Sequence, residues 1–168
     1  MGSATIVDSQ ETSTGAGLQV AKRRVPVTVY LANKTIEGEL YADTHQIDGS
    51  EARLVDRLAD PWETFTPLAV EERHILVRKS RILAVELDPS EVPRPCGAAV
   101  TALKLFFQFT NGLIVCGTVY ALLAPAGSRP LDFLNRSSSR FLNVFSPARV
   151  TLVNMNHVVD VTELDQAG

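Results

Sequence analysis

The feature that most constrains this chain is an internal repeat. Val25, Val27, Val29 and Leu31 alternate with period two, and a displacement of 78 residues lays them on Leu103, Leu105, Phe107 and Phe109. Both runs reach an asparagine, Asn33 or Asn111, and then a second β-like run through a glycine and a tyrosine: IEGELY from Ile36 to Tyr41, and VCGTVY from Val115 to Tyr120. The displacement grows to 79 there, one extra residue in the second turn, and settles at 76 further along. At that spacing Arg53, Asp56, Leu58 and Phe65 fall on Arg129, Asp132, Leu134 and Phe141, while Leu76, Val77 and Val85 fall on Leu152, Val153 and Val161. Ordered matches over most of both halves, interrupted only by small changes of loop length, point to duplication of one small unit.

The boundary between the copies follows from chemistry. DPSEVPRPCGAAVTA, from Asp88 to Ala102, holds three prolines and a glycine, which oppose any regular element and favour an extended connector. Residues 1–20 are rich in Ser, Thr, Gly and Gln with little periodicity, so their burial would not offset the entropy of ordering them. The expected organisation is a disordered tail at 1–20, a first unit at 21–87, a linker at 88–101 and a second unit at 102–164.

Within each copy the first strand buries one face, because apolar residues occupy every second position. The turns Asn33-Lys34 and Asn111-Gly112 suit tight hairpins, since asparagine and glycine accept positive φ. Gly38 and Gly117 stand inside the second strand, where a glycine marks a bend or a close backbone approach. RLVDRLAD (Arg53 to Asp60) and RPLDFLNR (Arg129 to Arg136) fit one or two helical turns. Strands resume at about Thr64 to Val70 and Phe141 to Phe145. A last pair follows in each copy, Ile75 to Arg78 with Ile82 to Leu87 and Val150 to Val153 with Val158 to Thr162, turning through Lys79-Ser80 or Met155-Asn156. Five short bent strands in ~65 residues favour a closed barrel, because closure removes exposed edges. The expected fold is all-β: two tandem five-stranded barrels, each with a short helical insertion between strands two and three.

This order of an alternating strand, an asparagine turn, a strand with a central glycine and a short final hairpin resembles the Sm-like and SH3-like small barrels. The segment RPLDFLN also resembles a bacterial family of small β domains in which an Arg, Leu and Asp cluster followed by Phe-Leu-Asn precedes the third strand. Neither resemblance carries an activity, and the second implies a bacterial source. Sm-like RNA binders place an Asp and Asn loop between strands two and three and a basic-Gly-Asp/Asn loop between strands four and five. This chain has a long insertion at the first place, and Arg78-Lys79-Ser80-Arg81 and Asn154-Met155-Asn156-His157 at the second, so the RNA pocket is not reproduced.

Composition excludes several function classes. With 45% hydrophobic and 21% charged residues the chain has material for a core, and a formal net charge of −3 opposes a broad nucleic-acid-binding face. Cys96 and Cys116 lack CxxC spacing and neighbouring histidines, so they read as free thiols and not as a zinc site or disulfide. There is no run of about 18 apolar residues and no leader-like N-terminus. A cytoplasmic location without membrane contact is expected. His45, His74 and His157 are scattered, Ser137-Ser138-Ser139 lacks a nucleophile-elbow context, and no glycine-rich phosphate loop is present, so no catalytic residue, metal or cofactor is expected.

What remains are candidate contact residues. Trp62 stands in a loop outside the repeat pattern, and large aromatics dominate binding hot spots. Arg78, Lys79 and Arg81 form the densest positive cluster, open to phosphate or to an acidic protein, though no aromatic residue interleaves with them as base stacking needs. Phe106 occupies the outward face of its strand where the first copy has Thr28. With Leu142, Val144 and Phe145 it implies a covered face, either by the other barrel or by another subunit. The Arg53–Asp56 and Arg129–Asp132 pairs, spaced i to i+3, read as structural. The expected function is a non-catalytic protein-interaction or scaffolding module with a protein partner, self-association being compatible. The alternatives are a nucleic-acid binder using the Arg78–Arg81 segment and an accessory subunit that stabilises a larger enzyme.

Overall fold

A computed structural model describes residues 22–43, 53–122 and 130–164. The expected tail at 1–20, His45 and Arg129 lie outside the described residues. The fold is all-β with two short helices. The first half runs β1 (Lys22–Leu31), β2 (Thr35–Asp43), α1 (Leu54–Ala59), β3 (Phe65–Val70), β4 (Arg73–Arg78) and β5 (Ile82–Leu87). The second repeats that order as β6 (Val100–Phe109), β7 (Ile114–Leu122), α2 (Pro130–Arg136), β8 (Phe141–Phe145), β9 (Val150–Asn154) and β10 (Val158–Glu163).

The strands form one antiparallel sheet in the order β10-β6-β7-β8-β9-β5-β1-β2-β3-β4. Each half therefore has the same internal order, fifth strand beside first, then second, third and fourth. The sheet is open, where alternation and bending alone favoured two closed barrels. The reason lies in the partner of β5: it does not turn back on β4 but pairs with β1 on one side and with β9 of the other half on the second. The final segments of each copy are likewise not hairpins. A 3-10 turn at Lys79–Arg81 separates β4 from β5, and another at Met155–His157 separates β9 from β10. In both, the backbone N–H of the first turn residue is held from the strand-three side: Lys79 N–H donates to Thr64 O at 3.0 Å and Met155 N–H to Arg140 O at 2.9 Å.

Period-two alternation places Val25, Val27 and Val29 inward on β1, and Leu103, Leu105, Phe107 and Phe109 inward on β6. The second hairpin turns at Gly112, with φ 84°, and the Asn111 side-chain oxygen accepts from Leu113 N–H at 3.0 Å. Gly38 and Gly117 serve close approach: a Cβ at Gly38 would press into the Ala69 carbonyl oxygen, and one at Gly117 would lie 2.6 Å from that of Phe145. Strand three can cross strand two at that point only because no side chain intervenes.

Two apolar clusters result, and each borrows from the other half. The first joins Val25, Val29, Leu40, Leu68 and Val85 with the α1 leucines Leu54 and Leu58, and with Phe141, Phe145, Val150 and Leu152 of the second copy. The second cluster joins Leu105, Phe107, Phe109 and Val119 with Leu83 and Ala84 of the first copy. The segment between the halves is tied down: Pro89–Glu91 forms a 3-10 turn, Val92 is buried in the first cluster, and Glu91 pairs with Arg23 at 2.6 Å.

Candidate interaction surface

The halves meet along the β5–β9 ladder, with Ala84 opposite Val153, Val85 opposite Leu152, Glu86 opposite Thr151 and Leu87 opposite Val150. Side chains stitch this joint. Asn154 Nδ2 donates to the buried Ile82 carbonyl at 2.7 Å, and Asn154 Oδ1 accepts from Asn156 N–H at 3.2 Å. Arg149 pairs with Glu86 at 2.7 Å, and a ring nitrogen of His157 lies 2.7 Å from the Ser80 carbonyl. Asn111 Nδ2 reaches Ala32 O at 3.2 Å, so the two hairpin turns touch. Burial, and then the Glu86 carboxylate, push the Tyr30 hydroxyl above its ordinary range. Over the joint, α1 lies against the outward face of β8–β9: Val55, Asp56 and Ala59 line a cavity of about 250 Å³ together with Tyr120, Phe141 and Phe145.

The same outward face on the first half has no such cover among the described residues. β4 exposes five of its six residues. Across β3–β4, Phe65 stands opposite Arg78, Pro67 opposite Leu76 and Ala69 opposite His74, and these residues share one face. Phe65 is 47% exposed and Leu76 69%, whereas their repeat counterparts Phe141 and Leu152 are at 2% and 0%. The Arg78 guanidinium lies 5.8 Å over the Phe65 ring. Beside them the Tyr41 hydroxyl meets a His74 ring nitrogen at 2.7 Å, the two rings stack, and Arg24 lies 5.6 Å over Tyr41. The outcome is an edge strand whose N–H and C=O groups have no second strand partner among the described residues, next to a face of aromatic, aliphatic and cationic side chains.

The residues singled out from the sequence separate here. Trp62 is 92% exposed in the loop before β3, its backbone N–H donating to Asp60 Oδ1 at 2.9 Å. Arg78 and Arg81 are exposed, but Lys79 between them is 1% exposed, so the basic cluster is not one surface patch. Lys79 Nζ turns inward to the carbonyls of Arg57 and Asp60 at the C-terminus of α1, where a cation is favoured, and to Glu63 at 3.2 Å. Phe106 is half-buried on β6 between Cys116 and Thr162. Phe145 is buried in the first cluster, edge-on to Tyr120 at 5.2 Å with Arg94 5.9 Å from its ring, so the first half is what covers it. Arg53 stands at the N-cap of α1.

Phe65 and Leu76 carry the open face, while the exposed Ile75 stands on the other side of β4, opposite the buried Leu68; alternation alone did not single them out. One signal was present: Ile75, Leu76 and Val77 are consecutive apolar residues, and a strand can turn only alternate ones inward. Val77 is buried and Ile75 shares its side of the strand, so Leu76 is the one turned outward. Cys96 and Cys116 are free and exposed. Among the described residues no group of three or more His, Cys, Asp and Glu could hold a metal ion, and no helix is long and apolar enough to cross a membrane.

Fold and surface together define an all-β chain of two like halves with one sealed and one open copy of the same face. Comparison with family models, with curated proteins and with solved structures gives no match to this chain.

Proposed function

We propose that this chain is a non-catalytic protein-interaction or scaffolding module, built from two halves of the Sm-like or SH3-like kind, that binds a protein partner along the β3–β4 edge. The observation that carries this reading is the exposure of Phe65 and Leu76 beside an unpaired strand. Such an edge accepts an added strand through its backbone groups, and the apolar face beside it selects which strand. Obligate burial of these side chains would remove apolar surface worth about 25 cal/mol per Å² from water. The buried Lys79 leaves Arg78 and Arg81 without the third cation of a phosphate-binding cluster, which favours protein over nucleic acid as the partner.

The test is affinity purification of the full chain from its native host, wild type beside Leu76→Arg. The expected result is a protein held at fixed stoichiometry by the wild type and lost from the variant. Recovery of the same set by both, or of nucleic acid with a steep salt dependence, overturns the reading.

A further inference from the structure

The β8 sequence FLNVF carries a single polar residue, and it stands on the sealed side of the strand. Asn143 shares a face with Phe141 and Phe145, both buried in the first apolar cluster, and lies opposite the fully buried Leu152 in the β8–β9 ladder. Its side-chain oxygen is shielded from solvent and has no hydrogen-bond partner among the described residues. A buried amide oxygen without a donor costs desolvation that packing does not offset, so folded proteins almost always supply one. The fold common to the two copies does not call for the amide, since the same place in the first copy holds Pro67.

Asn143 lines the cavity of about 250 Å³ between α1 and β8. Val55 and Ala59 supply its wall on the α1 side, and Phe141 and Phe145 its wall on the strand side, with the Tyr120 ring edge-on to Phe145. Ser139 also lines it, but its hydroxyl donates to the Phe141 carbonyl at 2.8 Å. Asp56 and Pro95 are the exposed residues at the rim. Among the described residues no Lys, Arg or His lines the space, so an anion would meet the Asp56 carboxylate without a compensating cation. A volume of about 250 Å³ has room for roughly eight waters at about 30 Å³ each, yet an ordered water needs about two to four polar partners and these walls are mainly apolar. A single water on Asn143 leaves most of the space unfilled, whereas apolar cavities of such dimensions take up ring compounds. We propose that the cavity is a binding site for a small, flat heterocycle that carries an N–H and no negative charge. The N–H donates to Asn143 Oδ1, and the apolar ring lies between α1 and the aromatic side chains of β8. The site is separate from the β3–β4 edge and stands or falls independently of it. Because α1 belongs to the first half and β8 to the second, the occupant touches both halves and stabilises the folded, joined state by mass action.

The experiment titrates two probes into the purified full chain, indole and benzofuran, which have nearly the same shape but differ in a ring N–H against a ring oxygen. Calorimetry measures affinity, amide NMR locates the shifts, and the thermal midpoint reads stabilisation. Indole is expected to bind saturably at sub-millimolar concentration, to shift the Asn143 side-chain amide and to raise the midpoint. Benzofuran is expected to bind about 10-fold or more weakly, because it leaves the buried acceptor unpaired. Asn143→Leu replaces the amide by an apolar group of similar size; it is expected to keep the wild-type circular dichroism and to bind the two probes within about 2-fold of each other. Ala59→Phe fills the cavity from the α1 side and is expected to abolish binding of both. Absence of saturable indole binding to the wild type, equal affinity for indole and benzofuran, or an undiminished preference in Asn143→Leu overturns the proposal. The comparison of the two probes on the wild type decides the matter by itself should either variant fail to fold.

Discussion

The outward faces of β3–β4 and β8–β9 derive from the same stretch of the repeat, and they differ in what lies above them. On β8–β9, Phe141, Phe145, Val150 and Leu152 sit under α1 and beside β5 and belong to the core of the other half. On β3–β4 the corresponding places hold Phe65, Ala69, His74 and Leu76, and the two largest apolar side chains there face outward. Aromatic and aliphatic character persists where nothing among the described residues buries it. Burial in a duplicated fold is therefore a property of the neighbour as much as of the residue, and the sealed copy shows what the open copy is shaped to meet.

The sharpest way to break that contrast is a matched pair of truncations. Leu152→Ala removes a fully buried side chain at the joint and is expected to destabilise the protein by about 2–5 kcal/mol. Leu76→Ala, at the equivalent place, is expected to stay within about 0.5 kcal/mol at protein concentrations too low for association. Urea unfolding of both variants checks this, with an unchanged denaturant slope as the control. Equal losses would mean that the two faces are equally covered and would remove the basis for an open edge.

A second pair sharpens the comparison from the side of likeness. Gly38 and Gly117 both lie where strand two is crossed by the backbone of strand three. Alanine at either site forces a carbonyl aside, at a cost of about 1–3 kcal/mol. Because the obstacle is main chain in both halves, the two substitutions are expected to shift the thermal midpoint by similar amounts. A loss confined to one half would show that the copies do not share this crossing.

How far the fold was legible follows from these same residues. Alternation, the asparagine turns and the central glycines located strands, and the change of period in RLVDRLAD and RPLDFLNR located the two helices found among the described residues, because those signals are local. The partner of β5 was not legible: nothing in ILAVEL says which strand takes its second edge, and that non-local choice opens the sheet in place of two closed barrels. Lys79 was misplaced for a related reason. RKSR reads as a solvated tip, but the 3-10 turn sends its first residue, Lys79, inward to the C-terminus of α1, while the second copy carries the half-buried Met155 there. Of the open face only Arg78 drew attention, as part of a basic cluster; Phe106, Phe145 and Trp62 lie elsewhere, and Phe65 and Leu76 looked like ordinary core residues until their surroundings were known.

The smallest expected effect comes from a place where the copies differ inside the core. Thr66 on β3 is fully buried, and its hydroxyl has no hydrogen-bond partner among the described residues; the second copy carries Leu142 there. A buried hydroxyl without a partner costs desolvation and returns nothing, while its methyl group packs normally. Thr66→Val keeps the shape and the β-branch, removes the polar atom, and suits a strand at least as well. The expected outcome is a gain of up to about 1 kcal/mol, read as a higher urea midpoint at constant slope. A loss instead would mean that the hydroxyl is satisfied by a trapped water, and the first half would then hold a polar group beneath β3 where the second half carries the apolar Leu142.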